Sequence, residues 1–174
     1  MPERISLEGA ARELGIRLPV RVELHENMGQ AKACYLGVAA GSHRIALAVG
    51  KQKKESFPRP GTLVCITGHS SSLWHELTHA LQVERDYDGD SVQARHHYQR
   101  VLAERLGIEK EILTRGFLHT LVRRQLKLNG TYSRALSVYE DLPWEREAQA
   151  VAAERGNVDI EFRISRHTRR DAVR

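Results

Sequence analysis

The chain is poor in several things, and each shortage narrows what it can be. Only 2 of its 174 residues are cysteine. Cys34 and Cys65 cannot build a disulfide framework, and both sit in apolar stretches where buried free thiols are the expected state. No apolar run approaches the ~20 residues of a membrane-spanning helix, so a transmembrane protein is excluded and no membrane partner is expected. The opening Met1-Pro2-Glu3-Arg4-Ile5 lacks the apolar centre of a secretory signal, which points to a cytoplasmic protein. There is no internal repeat, no low-complexity linker, and no zinc-finger, helix-turn-helix or RNA-binding signature. What is present is 41% apolar and 28% charged residues, the composition of a chain that folds. The length suits one compact domain.

The first part of the chain reads mainly as strands. Residues 6–16 carry apolar positions at helical spacing, stopped near Gly15. Val20-Arg21-Val22-Glu23-Leu24 alternates with period two, as a half-buried strand does. Residues 34–39 and 44–49 read as two more strands with Gly41-Ser42 as the turn of a hairpin. Residues 51–60 read as a charged loop with two prolines, and 63–66 as a short strand. After residue 69 the pattern becomes helical, over 70–84, 91–106 and 108–128, each bounded by stop signals such as Gly107 and Asn129-Gly130. Residues 132–139 are of uncertain type. Pro143 begins a last helix that ends near Arg155, and 158–164 alternates again as a late strand. Strands first and helices later predict an α+β fold with a small, mainly antiparallel sheet followed by a helical half. The expected division is a single domain over 1–166 and a basic, disordered tail over 167–174.

The sharpest chemical signal is His75-Glu76-Leu77-Thr78-His79. Histidines four apart lie one turn apart on one helix face, where one Zn²⁺ can take both imidazoles. Glu76 projects beside that position, where a carboxylate can take a proton from an attacking water. Leu73, Leu77, Ala80 and Leu81 give the helix an apolar stripe that anchors it. Gln82 stands three residues beyond His79, on the metal-facing side. The plain alternative is two unrelated surface histidines among the 9 in the chain. The apolar stripe weighs against it.

A catalytic zinc site needs a third protein ligand. The run from His75 to Gln82, followed by Glu145-Arg146-Glu147-Ala148-Gln149, resembles the gluzincin metallopeptidases. Their second motif is a helix beginning Glu-x-x-Ala-(Asp/Asn), whose first Glu ligates zinc. The small intracellular ImmA/IrrE-type zincins of bacteria and phages are similar in size and layout. The likeness covers about 8 residues at each motif. It implies a zincin-like fold, zinc as cofactor, His75, His79 and Glu145 as ligands, Glu76 as general base, and a protein or peptide as substrate. It also implies a substrate strand added to a sheet edge, with 44–49 or 63–66 to supply that edge. Gln149 departs from the family's Asp or Asn, which hydrogen-bonds a ligating histidine.

Helix geometry agrees with the choice of Glu145 over Glu147. The two point about 200° apart, so only one can face a metal. Glu145 borders the side of Ala148 and Ala152, where a second helix can approach closely. Glu147 borders the other side with Glu154, as a solvated acidic edge, and Gln149 lies one turn after Glu145, where it could support a ligating histidine. An oxyanion also needs a donor, for which Tyr132, Tyr139, His96, His97 and His119 are candidates, with Tyr139 favoured by its closeness to Glu145.

Two other readings compete. A SprT-like protease acting on DNA-bound proteins takes a histidine as third ligand, from His96, His97 or His119. Arg85 stands where a short HExxHxxGxxH continuation needs its last histidine, which argues against the metzincin type. The second is a zinc-stabilised binding module associated with nucleic acid. The excess of 27 Lys+Arg over 22 Asp+Glu supports a polyanion partner. The clusters Lys51/Lys53/Lys54, Arg115/Arg123/Arg124/Lys127 and Arg163/Arg166/Arg169/Arg170/Arg174 could contact such a partner, but a solvated helix face and a frayed terminus are the favoured explanation of them. Glu76 discriminates: a binding module has no use for an acid beside its metal.

Overall fold

A computed structural model describes residues 3–25, 28, 32–48, 58–66, 70–107 and 132–168. Its elements run β1 (Arg4–Ser6), α1 (Leu7–Leu14), β2 (Val20–His25), β3 (Ala33–Ala39), β4 (Ser42–Ala48), β5 (Leu63–Ile66), α2 (Ser71–Tyr87), α3 (Ser91–Leu106), α4 (Tyr132–Glu140), α5 (Pro143–Arg155) and β6 (Asp159–Thr168). The class is α+β. The segment of uncertain type is helical, β1 is an additional strand, and β6 carries the chain to Thr168. The expected loop over 51–57, the helix over 108–128 and the tail beyond 168 lie outside the described residues.

The sheet is ordered β1-β6-β2-β4-β3, with β5 on β6. β1 and β2 both pair with β6 in parallel, and β2 pairs with β4 in parallel. Among the described residues only β3–β4 and β5–β6 are antiparallel. The sheet is therefore mixed and mostly parallel, which corrects the antiparallel expectation. The cause is non-local. β6 is last in sequence, yet its buried Ile160, Phe162 and Ile164 place it between the earlier strands, running the same way. β4 likewise turns back to lie between β2 and β3. Residues 44–48, within the segment 44–49 expected as an edge, thus belong to an inner strand, and β3 lies at the edge beyond it.

The hairpin β3–β4 closes where Ala39 pairs with Ser42. Its turn residues are Ala40 and Gly41, at φ 50° and 69°. Two successive positive φ values are the type I′ turn that matches strand twist. The turn is one residue earlier than Gly41-Ser42.

One face of α2 closes the core. Leu73, Trp74, Leu77 and Ala80 pack against Val22, Leu24, Ile45, Leu47, Ile160 and Ile164 of the sheet. Each large apolar side chain buried there contributes roughly 1.5–3 kcal/mol. α5 lies antiparallel along α2: Gln82 meets Trp144 at one end, and Ser70 meets Gly156 at the other. At that far end the Ser70 hydroxyl donates to Gly156 O at 2.9 Å and Val158 O at 2.5 Å. A Cβ at Gly156 would meet Ala152 O at 2.6 Å and Ser71 Cβ at 3.0 Å, so the close approach requires glycine.

A buried carboxylate fixes α2 to the sheet. Glu84, 5% exposed, accepts from Leu18 N at 2.7 Å, Arg17 N at 2.9 Å and His43 Nε2 at 2.9 Å. Burial pushes its pKa up, but these donors outweigh burial and hold it at about 2. A depressed folded pKa stabilises above the unfolded value and is lost as pH falls through the folded value. The bond set therefore contributes on the order of 2–3 kcal/mol near neutrality, and this is lost between about pH 5 and 2. Urea titrations across that window are expected to show a steep acid loss in the wild-type chain and a flatter profile in Glu84→Gln.

Candidate metal centre

α2 and α5 bring together the two motifs. His75 and His79 project from one side of α2, with ring centroids 4.8 Å apart and planes at 86°. Glu145 stands in the first turn of α5, behind Pro143, where the helix dipole favours a carboxylate. Ala148, fully buried, is the small residue that lets α5 approach α2. His75 Nε2 and His79 Nε2 are 3.1 Å apart. Glu145 Oε2 lies 3.2 Å from the first, and Oε1 lies 3.4 Å from the second.

These three residues could hold one metal ion. Ligand bonds of ~2.0–2.1 Å at tetrahedral angles set donor atoms ~3.3 Å apart. The Nε2–Nε2 distance of 3.1 Å and the Nε2–oxygen distances of 3.2 and 3.4 Å, the last two to different oxygens of Glu145, lie near that spacing. Among the described residues no other such group of His, Cys, Asp or Glu occurs. His97 instead packs among Tyr87, Tyr98 and Trp144, and His96 is exposed on α3. His119 and the side chain of Tyr132 lie outside the described residues.

The hydrogen bonds around the triangle fix its proton states. Gln82, fully buried, donates from Nε2 to Trp144 O at 2.9 Å and to Glu147 Oε2 at 3.0 Å. Both partners only accept, so the amide oxygen must be the atom facing His79 Nδ1, at 2.9 Å. His79 therefore carries a proton on Nδ1, and Nε2 is the nitrogen it turns toward His75 and Glu145. Glu147 in turn binds Arg85, at 2.6 Å. Two expectations are corrected here. Glu147 is not a merely solvated edge, because it orients Gln82. Gln149 is exposed and lines the neighbouring cleft, while Gln82, on the same helix as His79, holds the histidine. Gln82→Ala is expected to lower metal affinity about 10- to 100-fold by freeing the imidazole, as competition against a chelator measures.

Opposing effects set the charges. Burial pulls His75 down, but its hydrogen bond to Glu145 and the charges of Glu76 and Glu145 leave it raised. Burial pushes Glu145 up, and the contacts with His75, His79 and Tyr139 overcome it, so Glu145 stays lowered and anionic near neutrality. The Tyr139 hydroxyl donates to Glu145, and burial beside that carboxylate raises the phenol well above its usual range. Tyr139 thus braces the carboxylate and does not line the cleft. Desolvation raises Glu76, partly opposed by the two histidines and by the Tyr35 backbone N–H, which donates to its Oε2 at 2.6 Å. Burial and the charges of Glu76 and Glu145 push the Cys34 thiol up to about 12, so it stays protonated.

An open cleft of about 470 Å³ adjoins the triangle, between the start of β3, the first turns of α2, and α5. Lys32, Ala33, Ser72, Gln149, Ala152 and Ala153 line it together with His75 and Glu76. No feature of the strands in sequence marks Tyr35 as a partner of Glu76. The i+3 spacing from His79 does mark Gln82.

No protein-family model matches the chain, and no curated protein and no solved structure matches it. No helix among the described residues is long and apolar enough to cross a membrane.

Proposed function

We propose that the chain is a zinc-dependent peptidase of the gluzincin kind, with His75, His79 and Glu145 as zinc ligands. The observation that carries this reading is the convergence of Glu145 on both histidines beside a carboxylate, Glu76, that stands outside this donor group. Two imidazoles and one carboxylate are a donor set suited to catalytic zinc, with one position left for water or substrate. Bound zinc would acidify a water and polarise a substrate carbonyl.

The chain's own groups supply the rest. Gln82 keeps His79 in the ligating tautomer. Tyr139 orients the Glu145 carboxylate. Glu76 has Oε2 committed to the Tyr35 amide and Oε1 available, so Oε1 takes the proton of the attacking water and delivers it to the leaving amine. The cleft beside His75 and Glu76, walled by Ala33, Ala152 and Ala153, holds the peptide. Substrate pairing with the edge is confined to the start of β3, because the N–H groups of Tyr35 and Val38 already donate to Glu76 and Ser91.

Metal content and peptide cleavage measured together test the proposal. The purified chain is expected to hold one zinc, to cleave members of a quenched-fluorescence peptide library, to lose cleavage with a chelator, and to regain it with added zinc. A chain that binds no metal contradicts the reading.

A further inference from the structure

We infer that Tyr35 is the positioning residue for Glu76, pinned by a buried chain of hydrogen bonds through His43 to Glu84. The role in turnover rests on the peptidase reading; the anchoring does not. Glu84 lies eight residues beyond Glu76 on α2, about 12 Å further along the helix. Tyr35 is held between them at two points. Its backbone N–H donates to Glu76 Oε2 at 2.6 Å. Its hydroxyl lies 2.8 Å from His43 Nδ1, and His43 Nε2 lies 2.9 Å from Glu84 Oε1.

The proton order in this chain is fixed. Glu84 is ionised and can only accept, so His43 carries its proton on Nε2. His43 Nδ1 is then a bare acceptor, and the Tyr35 hydroxyl donates to it. The side chains of His43 and Glu84 are 0% and 3% exposed, so water does not substitute for any link.

The ladder to β4 does not do this work alone. Tyr35 pairs with Ile45 and Gly37 with Arg44, which leaves Leu36 as an extra residue in β3. A bulge of this kind breaks the ladder and re-aims the strand. Beside it, the phenol anchor sets where the Tyr35 N–H points. That N–H claims one oxygen of Glu76 and turns the other toward the cleft.

Amide hydrogen exchange on the full chain, followed residue by residue, tests the anchor without any substrate. In Tyr35→Phe the amide of residue 35 is expected to exchange at least tenfold faster, while the Val38 amide, held by Ser91, is unchanged. In the same variant kcat on the best library peptide is expected to fall about tenfold, with KM and zinc affinity unchanged. In Glu76→Ala the Tyr35 amide loses its protection, and in Glu76→Gln, which retains an acceptor, it keeps it. Should Tyr35→Phe not fold, His43→Phe, which keeps a ring but removes the acceptor of the phenol, gives the same reading at residue 35. Unchanged exchange at residue 35 overturns the anchor, and faster exchange with unchanged kcat overturns the positioning role. A wild-type chain that cleaves nothing, with exchange at residue 35 still accelerated in Tyr35→Phe, sinks the peptidase reading and supports the anchor.

Discussion

Replacing Glu145 with alanine is expected to lower zinc affinity by roughly a hundredfold or more and to loosen the fold. Three donors become two, and the lost carboxylate is the one that binds both imidazole Nε2 atoms across the α2–α5 interface. The remaining His75 and His79 face each other at 3.1 Å with no anion between them and α5. Glu147→Ala provides the contrast. It removes a contact of Gln82 and Arg85 but no ligand, so its effect passes through the orientation of one amide and stays within about tenfold. Metal analysis after exhaustive dialysis decides between them. Full zinc in Glu145→Ala and none in Glu147→Ala reverses the assignment, and full zinc in both directs the search to His96, His97 or His119.

Glu76→Gln is expected to leave zinc stoichiometry and stability intact and to reduce turnover on the order of a thousandfold or more. The amide is nearly isosteric and its oxygen still accepts from the Tyr35 N–H, so the local structure has no reason to change. It cannot take a proton. Loss of zinc in this variant would instead identify Glu76 as a ligand.

What could be read from sequence was what geometry makes local. His75, Glu76 and His79 are related by a single helical turn, and Gln82 by one more, so their mutual placement follows from the period of α2 alone. The helix over 91–106 announces itself through its stop at Gly107, and the helix from Pro143 through proline at the first turn. The β3–β4 hairpin was legible for the same reason, because its two strands meet across a two-residue turn. The strand order was not. Nothing in 158–164 says that it runs between β1, β5 and β2, because that is decided by which apolar faces find each other across more than a hundred residues. β1 is only three residues long, too short for a pattern. The role of Tyr35 was illegible because it depends on a backbone N–H freed at a bulge. The spacing of Gln149 from Glu145 points it at a histidine, yet that position of α5 lines the cleft.

The most direct test of the central claim is the appearance of new amino termini when the zinc-loaded chain is incubated with a peptide library, with the Glu76→Gln chain, equally loaded, as the blank. The expected result is cleavage by the wild-type chain that is absent from the blank and abolished by chelation. Equal release of amino termini by both chains, or by neither, would contradict it.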